Sequence, residues 1–276
     1  MGENRQIVLL AVAAWALLAL AGCKKTADAQ SLLDYSLSAE ALFEEALEQF
    51  DDEDCVDAEK IFQEVRRQFP YSRFAPLSDL RMADCQFIQG NHAAAAVAYQ
   101  QFVRKHPTHE ETHYAAFRRG LSFVQMIPGD WLITPPSHER DQSATRDARA
   151  SLLGFLEAYP RSPYRERATG LLAEVVNALV RHEIYVAEFY RSRDQLKAAA
   201  VRLEGVRTSF PDASLVPDAM FLQAWTYLEL DRLDAARRVL GEIIQFYPEH
   251  YQAKRAKDTL EHLDAKHGDE NRGSDG

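Results

Sequence analysis

Residues 83–107, ADCQFIQGNHAAAAVAYQQFVRKHP, hold one copy of the pattern that decides the fold. The stretch closes on His106-Pro107, and a proline preceded by an aromatic residue or histidine recurs at Phe69-Pro70, Tyr159-Pro160, Phe210-Pro211 and Tyr247-Pro248. Twelve residues before each proline stands an alanine: Ala58, Ala95, Ala148, Ala199 and Ala236. Eight before stands Phe62, Tyr99, Leu152, Leu203 or Leu240, and five before stands Val65, Phe102, Phe155, Val206 or Ile243. Twenty-four before, four of the units have alanine again, at Ala46, Ala83, Ala187 and Ala224, while the third has Gly120 further upstream.

Each offset has a physical reading. Small residues let two helices cross closely, and the large apolar residues at −8 and −5 share one face of the second helix. Proline ends that helix because it lacks an N–H and its ring clashes with the preceding turn. These offsets are similar to those of the tetratricopeptide repeat, a helical hairpin of about 34 residues. The pattern predicts an all-α fold, a right-handed superhelix of five such hairpins with a C-terminal closing helix over residues 250–263.

Successive prolines stand 37, 53, 51 and 37 residues apart. The second interval predicts an inserted loop at 126–146, where Pro-Gly and Pro-Pro pairs interrupt the chain. The third has no breaker but Gly170 between Tyr164 and Arg191, and predicts a first helix in the fourth repeat about four turns longer than usual. The N-terminal repeats are placed at 38–125 and the C-terminal repeats with the closing helix at 147–263. Residues 264–276, polar and rich in Gly and Asp, are expected to be disordered.

At the other end, residues 7–20 form an apolar run of signal-peptide length, too short to cross a bilayer comfortably. The run leads into Leu20-Ala21-Gly22-Cys23, which resembles the bacterial lipobox. That resemblance implies a signal peptide over 1–22, removed before a lipid is attached to Cys23, and a tether over 23–37. The other reading is an ordinary secretory peptide with a cysteine there by chance. Lys24 stands where an aspartate would retain a lipoprotein in the inner membrane, which implies sorting to the outer membrane. Beyond residue 22 no apolar run reaches the roughly 18 residues a membrane-spanning helix needs, so a water-soluble body is expected. The net charge of −10 argues against nucleic acid, whose phosphates need a basic face.

Several strings are specific enough to name a family. They are His106-Pro107-Thr108-His109, Tyr114 to Leu121, Glu139-Arg140-Asp141-Gln142-Ser143, Tyr159 to Tyr164 and Val186-Ala187-Glu188-Phe189-Tyr190. Over Leu42 to about Leu260 the chain resembles the BamD (ComL-like) lipoproteins of the outer-membrane β-barrel assembly machine. The resemblance implies a lipid-anchored scaffold on the periplasmic face of the outer membrane. Its C-terminal repeats would dock on the periplasmic domain of BamA, and its N-terminal repeats would engage unfolded β-barrel precursors. Accessory Bam lipoproteins are further partners left open. Arg202 matches a basic family position on the BamA-facing side; the alternative is a solvated arginine. Another periplasmic tetratricopeptide adaptor, pilotin-like or of envelope division, is the runner-up.

Counting from Ala46 and Ala83, the groove positions of the first two repeats are Phe43, Leu47, Phe50, Leu80 and Phe87, suited to an extended peptide with apolar side chains. The alternative is that neighbouring elements bury them. In the fifth repeat the same positions are Phe221, Trp225 and Leu228, which could equally pack on the closing helix.

Catalysis finds little support. His109-Glu110-Glu111-Thr112-His113 formally matches the zinc signature H-E-x-x-H, but it begins two residues after Pro107, at a joint between repeats, and no third ligand pattern follows. A zinc hydrolase is therefore the remote alternative. A Gly-rich phosphate loop, a G-x-S-x-G elbow and a Cys/His nucleophile pair are all missing from the sequence. The reading is a binding protein, with no enzyme activity, cofactor or metal. Cys55 and Cys85 are expected as two separate thiols, Cys85 half-buried on a helix and Cys55 in an acidic turn, with pairing in an oxidising compartment left open.

Overall fold

The computed structural model describes residues 30–129 and 136–273, with side chains to residue 265. Among these residues every regular element is helical. They are α1 (30–51), α2 (Cys55–Gln68), α3 (Phe74–Ile88), α4 (His92–Lys105), α5 (Thr112–Gln125), α6 (Ser143–Ala158), α7 (Arg165–Arg191), α8 (Leu196–Ser209), α9 (Val216–Glu229), α10 (Leu233–Phe246) and α11 (Tyr251–Gly273), with one 3-10 turn at Ser137–Glu139. The chain forms two compact units, one up to Ala115 and one from Ala116 onward.

The proline frame fixes where the even-numbered helices stop. Phe69, His106, Tyr159, Phe210 and Tyr247 are the C-caps of α2, α4, α6, α8 and α10, all with φ between −140° and −125° and ψ between 50° and 61°. A following proline excludes the α region for the residue before it, so the helix has to leave its path there. In each case the cap N–H still closes the last turn, donating to the carbonyl of Val65, Phe102, Phe155, Val206 or Ile243.

A second frame lies in the turns within hairpins. Glu53, Gly90, Asp194 and Asp231 each stand 17 residues before a frame proline, and all four are left-handed, with φ of 61°, 79°, 60° and 56°. In each, the left-handed residue donates to the carbonyl three residues back and the next residue donates to the carbonyl five back, as in Asn91 N–H to Gln86. That is the Schellman arrangement, which satisfies carbonyls stranded at the end of the first helix. Asp54 then accepts from Asp57 N–H and caps the start of α2.

In the first unit, Ala46, Ala58, Ala83 and Ala95 are completely buried, with Phe62, Val65 and Tyr99 beside them. In the second, Ala148, Ala187, Ala199, Ala224 and Ala236 are equally buried, and so are Leu152, Leu203, Leu240 and Ile243. Gly120 takes the alanine's place in the third hairpin: a Cβ there would stand 2.9 Å from Cδ2 of Leu152. The close-crossing reading therefore holds residue by residue.

Three boundaries differ from expectation. Residues 30–37, expected as tether, already belong to α1, which is one continuous helix to residue 51. The inserted segment ends earlier than 146, because α6 begins at Ser143. The closing helix does not stop near 263 but continues to Gly273, so residues 264–273 of the expected tail are helical; Asp264-Ala265-Lys266-His267 holds no breaker to end it. The long helix of the fourth repeat is α7, 27 residues against 14 in α5 and α9. The signal-peptide and lipobox residues, residues 130–135 of the inserted loop and residues 274–276 lie outside the described residues.

Candidate functional site

The length of α7 sets up the first surface. Its second half carries Glu183 and Tyr190 alongside α8, and together they border an open cavity of about 630 Å³. Lys197, Val201 and Arg202 of α8 and the cap residue Phe210 complete its wall. Arg202 Nη1 stands 3.1 Å from Glu183 Oε2, but 43% of the Arg202 side chain remains exposed. The guanidinium is thus tied to Glu183 while part of the side chain stays open to solvent, the arrangement in which an arginine can also meet a carboxylate from outside. Val201, one residue earlier, is 69% exposed and supplies an apolar contact beside the charge. Exposed apolar area next to an oriented arginine is the composition of a protein-docking site.

The second surface lies in the N-terminal unit, and the expected groove residues divide there. Phe43 is buried, its ring 5.6 Å from Phe62 and 5.2 Å from Phe74. Leu80 is completely buried with Ala83, Ala95 and Tyr99. Neighbouring helices cover these two, the alternative kept open above. Leu47, Phe50 and Phe87 remain partly exposed. Phe50 packs edge-on to Phe62 at 6.4 Å and faces the Arg81 guanidinium at 5.9 Å, while Phe87 meets His92 at 4.9 Å.

Behind this surface sits a group that sequence reasoning missed. Asp84, nearly completely buried, accepts from Tyr99 Oη at 2.6 Å and from Tyr114 Oη at 2.7 Å, while Arg81 Nη1 lies 2.6 Å from its other oxygen. A buried carboxylate is tolerable only when paired and hydrogen-bonded in this way. The signal was present as an Arg-x-x-Asp spacing inside an otherwise apolar stretch, Leu80-Arg81-Met82-Ala83-Asp84-Cys85.

In the fifth repeat Phe221 is buried, with the Arg255 guanidinium of the closing helix 4.3 Å from its ring centre. Leu228 is partly buried and Trp225 is 43% exposed.

Comparison with known proteins bears on what these surfaces belong to. A family model described as YfiO: Outer membrane lipoprotein matches residues 36–241. The chain belongs to this family. An outer membrane protein assembly factor BamD from Neisseria gonorrhoeae is 30% identical over 236 residues, covering 81% of this chain and 86% of that one. The BamD of Xylella fastidiosa (strain 9a5c) is 27% identical over 242 residues, covering 84% and 80%. A tetratricopeptide repeat protein of Thermus thermophilus superposes with a TM-score of 0.34 at 15% identity, covering 80% of this chain and 98% of the other.

The BamD match extends over the strings that first suggested it, and the structure shows what several of them do. In the Arg140-Asp141-Gln142-Ser143 string, Gln142 is buried and donates to the carbonyls of Ser137 and Arg140, while Thr145 Oγ1 donates to its Oε1 at 3.1 Å. His182 Nδ1 lies 2.6 Å from the His138 carbonyl, and the His138 ring packs edge-on to Tyr185. These contacts pin the inserted segment of this BamD-family chain to the middle of α7.

The zinc-type string is arranged differently from a metal site. His109 lies in the turn before α5, its Nδ1 accepts from Glu111 N–H at 3.1 Å and its ring packs edge-on to Phe102. The two histidines are therefore not stacked one turn apart on a single helix, which the metal signature requires. Among the described residues no group of three or more potential ligands is gathered. Cys55 and Cys85 are two free thiols, as expected, but both are buried: Cys55 is the first residue of α2 rather than in an acidic turn, and Cys85 is fully inside rather than half-buried.

Proposed function

We propose that this chain is a lipid-anchored scaffold of the outer-membrane β-barrel assembly machine, acting by binding and not by catalysis. The observation that carries the reading is the family match over residues 36–241 together with an exposed, pre-oriented Arg202 at the mouth of the α7–α8 cavity. In this account Cys23 carries the lipid that holds the chain to the periplasmic face of the outer membrane. More than one acyl chain would be needed for durable anchoring, since a single chain binds only marginally.

The Arg202 surface docks the periplasmic domain of BamA, with Arg202 as the charged anchor and Val201 as its apolar neighbour. Unfolded β-barrel precursors engage the N-terminal unit at Leu47, Phe50 and Phe87. Phe43 and Leu80 support that wall from behind, holding the aromatic rings in place without touching the precursor. Specificity comes from charge placement, and affinity from the apolar area covered on binding. Accessory Bam lipoproteins would join the same assembly.

Co-purification after mild detergent solubilisation tests the reading. BamA should be recovered with the wild-type chain. Recovery of a different envelope complex without BamA would favour another periplasmic adaptor and overturn this one.

A further inference from the structure

We infer that Cys55 and Cys85 form a disulfide that staples the joint between the first two repeats. The inference rests on the extracytoplasmic placement proposed above. Three facts about the chain support it. Cys55 opens α2 and Cys85 lies in the last turn of α3, two helices that pack side by side across the Pro70 joint. Both are free thiols here, and both side chains are buried in one apolar cluster with Ala58, Phe62 and Val65. The chain has three cysteines in all, so once Cys23 is acylated the only thiol partner left for either residue is the other.

The bond forms by exchange with an external disulfide, R–S–S–R, of the kind carried by extracytoplasmic thiol–disulfide oxidoreductases. One cysteine thiolate attacks a sulfur of the external disulfide and displaces R–S⁻. The second thiolate then attacks the protein sulfur of the mixed disulfide and displaces the other R–S⁻. The two thiol protons end on two R–SH, the external disulfide is reduced by two electrons and the protein is oxidised by two. In the folded chain burial first, and then the neighbouring Cys55, hold the Cys85 thiol well above its ordinary range, which keeps it protonated and unreactive. Exchange therefore takes place while the first hairpins are still open, and the finished bond is shielded from reductant afterwards.

The closed loop runs from residue 55 to residue 85 and contains the whole Pro70 joint. Cross-linking it removes conformations from the unfolded chain and so raises stability.

The test uses the full chain in two arms. In the first, protein recovered from membranes is denatured in the presence of an alkylating reagent, with and without prior reduction, and its cysteine peptides are weighed. Neither Cys55 nor Cys85 should be alkylated before reduction, and both should be afterwards. In the second, purified chain is refolded with oxidised glutathione. It should lose the mass of two hydrogens and melt about 5 °C or more above its reduced form. A Cys55→Ala/Cys85→Ala double variant should show no such redox-dependent difference. Failure of the second arm overturns the pairing itself. If that arm succeeds, free thiols in chain that co-fractionates with the outer membrane overturn the inference and leave the placement standing; free thiols in chain found in the cytoplasm overturn both.

Discussion

Gly120 and Leu152 meet so closely that a Cβ on the glycine would lie 2.9 Å from Cδ2 and 3.2 Å from Cγ of the leucine. Leu152 is completely buried, so any shift of its side chain has to be taken up by the residues packed around it. Gly120→Ala should overpack this crossing at a cost of about 1–3 kcal/mol, offset by roughly 1 kcal/mol of better helix propensity. The expected net loss is about 1 kcal/mol. Gly170 of α7 has nothing within 4 Å of such a Cβ, and Gly170→Ala should instead gain roughly 0.5–1 kcal/mol. Urea denaturation of the two variants should move the midpoint in opposite directions; movement in the same direction would refute the crossing at Gly120.

Asp84→Ala should be among the most damaging single changes in the N-terminal unit. It strips the acceptor from Tyr99 Oη and Tyr114 Oη and leaves Arg81, whose side chain is 27% exposed, without its close carboxylate. Breaking a buried pair in this manner costs about 3–5 kcal/mol. Tyr99→Phe should cost less, about 1.5–3 kcal/mol, and the double variant should fall short of the sum because the two groups share one bond. Additive losses would mean that the two residues are not coupled.

The repeat frame was legible because each of its positions answers to a single local rule. Ala58 and Ala199, or Phe62 and Leu203, recur at fixed distances from a proline that itself ends a helix. The groove was less legible. A helical period shows that Phe43 and Leu80 share a face with Phe50 and Phe87, but it does not show which neighbour covers that face. Phe74 and Phe62 close over Phe43, while Ala95 and Tyr99 close over Leu80. The burial of Cys55 and Cys85 in one cluster was less legible for a related reason, since it joins two helices at a separation that no periodicity marks. The left-handed turn residues could have been found: an acidic residue or glycine stands 17 before four of the five prolines, at Glu53, Gly90, Asp194 and Asp231.

His106 occupies the frame position that Phe69 and Phe210 fill elsewhere, and it makes the N-terminal unit sensitive to acid. Burial holds the ring below the ordinary histidine value; His109 and Lys105 act in the same direction and Asp79 against them. The folded value is depressed, so the unfolded chain takes up the proton first. The contribution is intact above about pH 6.5 and is lost as the pH falls from there through the folded value. His106→Phe should reduce the drop in urea midpoint between about pH 7.5 and pH 5. An unchanged drop in that variant would assign the acid sensitivity to other groups.

Arg202→Glu should leave folding almost untouched. Its pairing with Glu183 leaves 43% of the arginine side chain exposed, and partly exposed pairs of this kind contribute about 0–1 kcal/mol. The reversed charge faces any partner carboxylate directly, so recovery of BamA should drop at least about tenfold, the equivalent of roughly 1.4 kcal/mol. Arg202→Lys should retain part of the binding, since it keeps the charge but not the two-pronged geometry. A large fall in melting temperature for Arg202→Glu would instead make the residue structural.

The most direct measurement of the scaffold account is in-cell photo-crosslinking from position 201 or 202, followed by identification of the captured partner. Those positions border the α7–α8 cavity and face solvent. The account predicts an adduct with the periplasmic domain of BamA from these positions, and adducts with unfolded β-barrel precursors from position 50. Capture of an unrelated envelope protein at 201 and 202, with no BamA adduct from either, would contradict it.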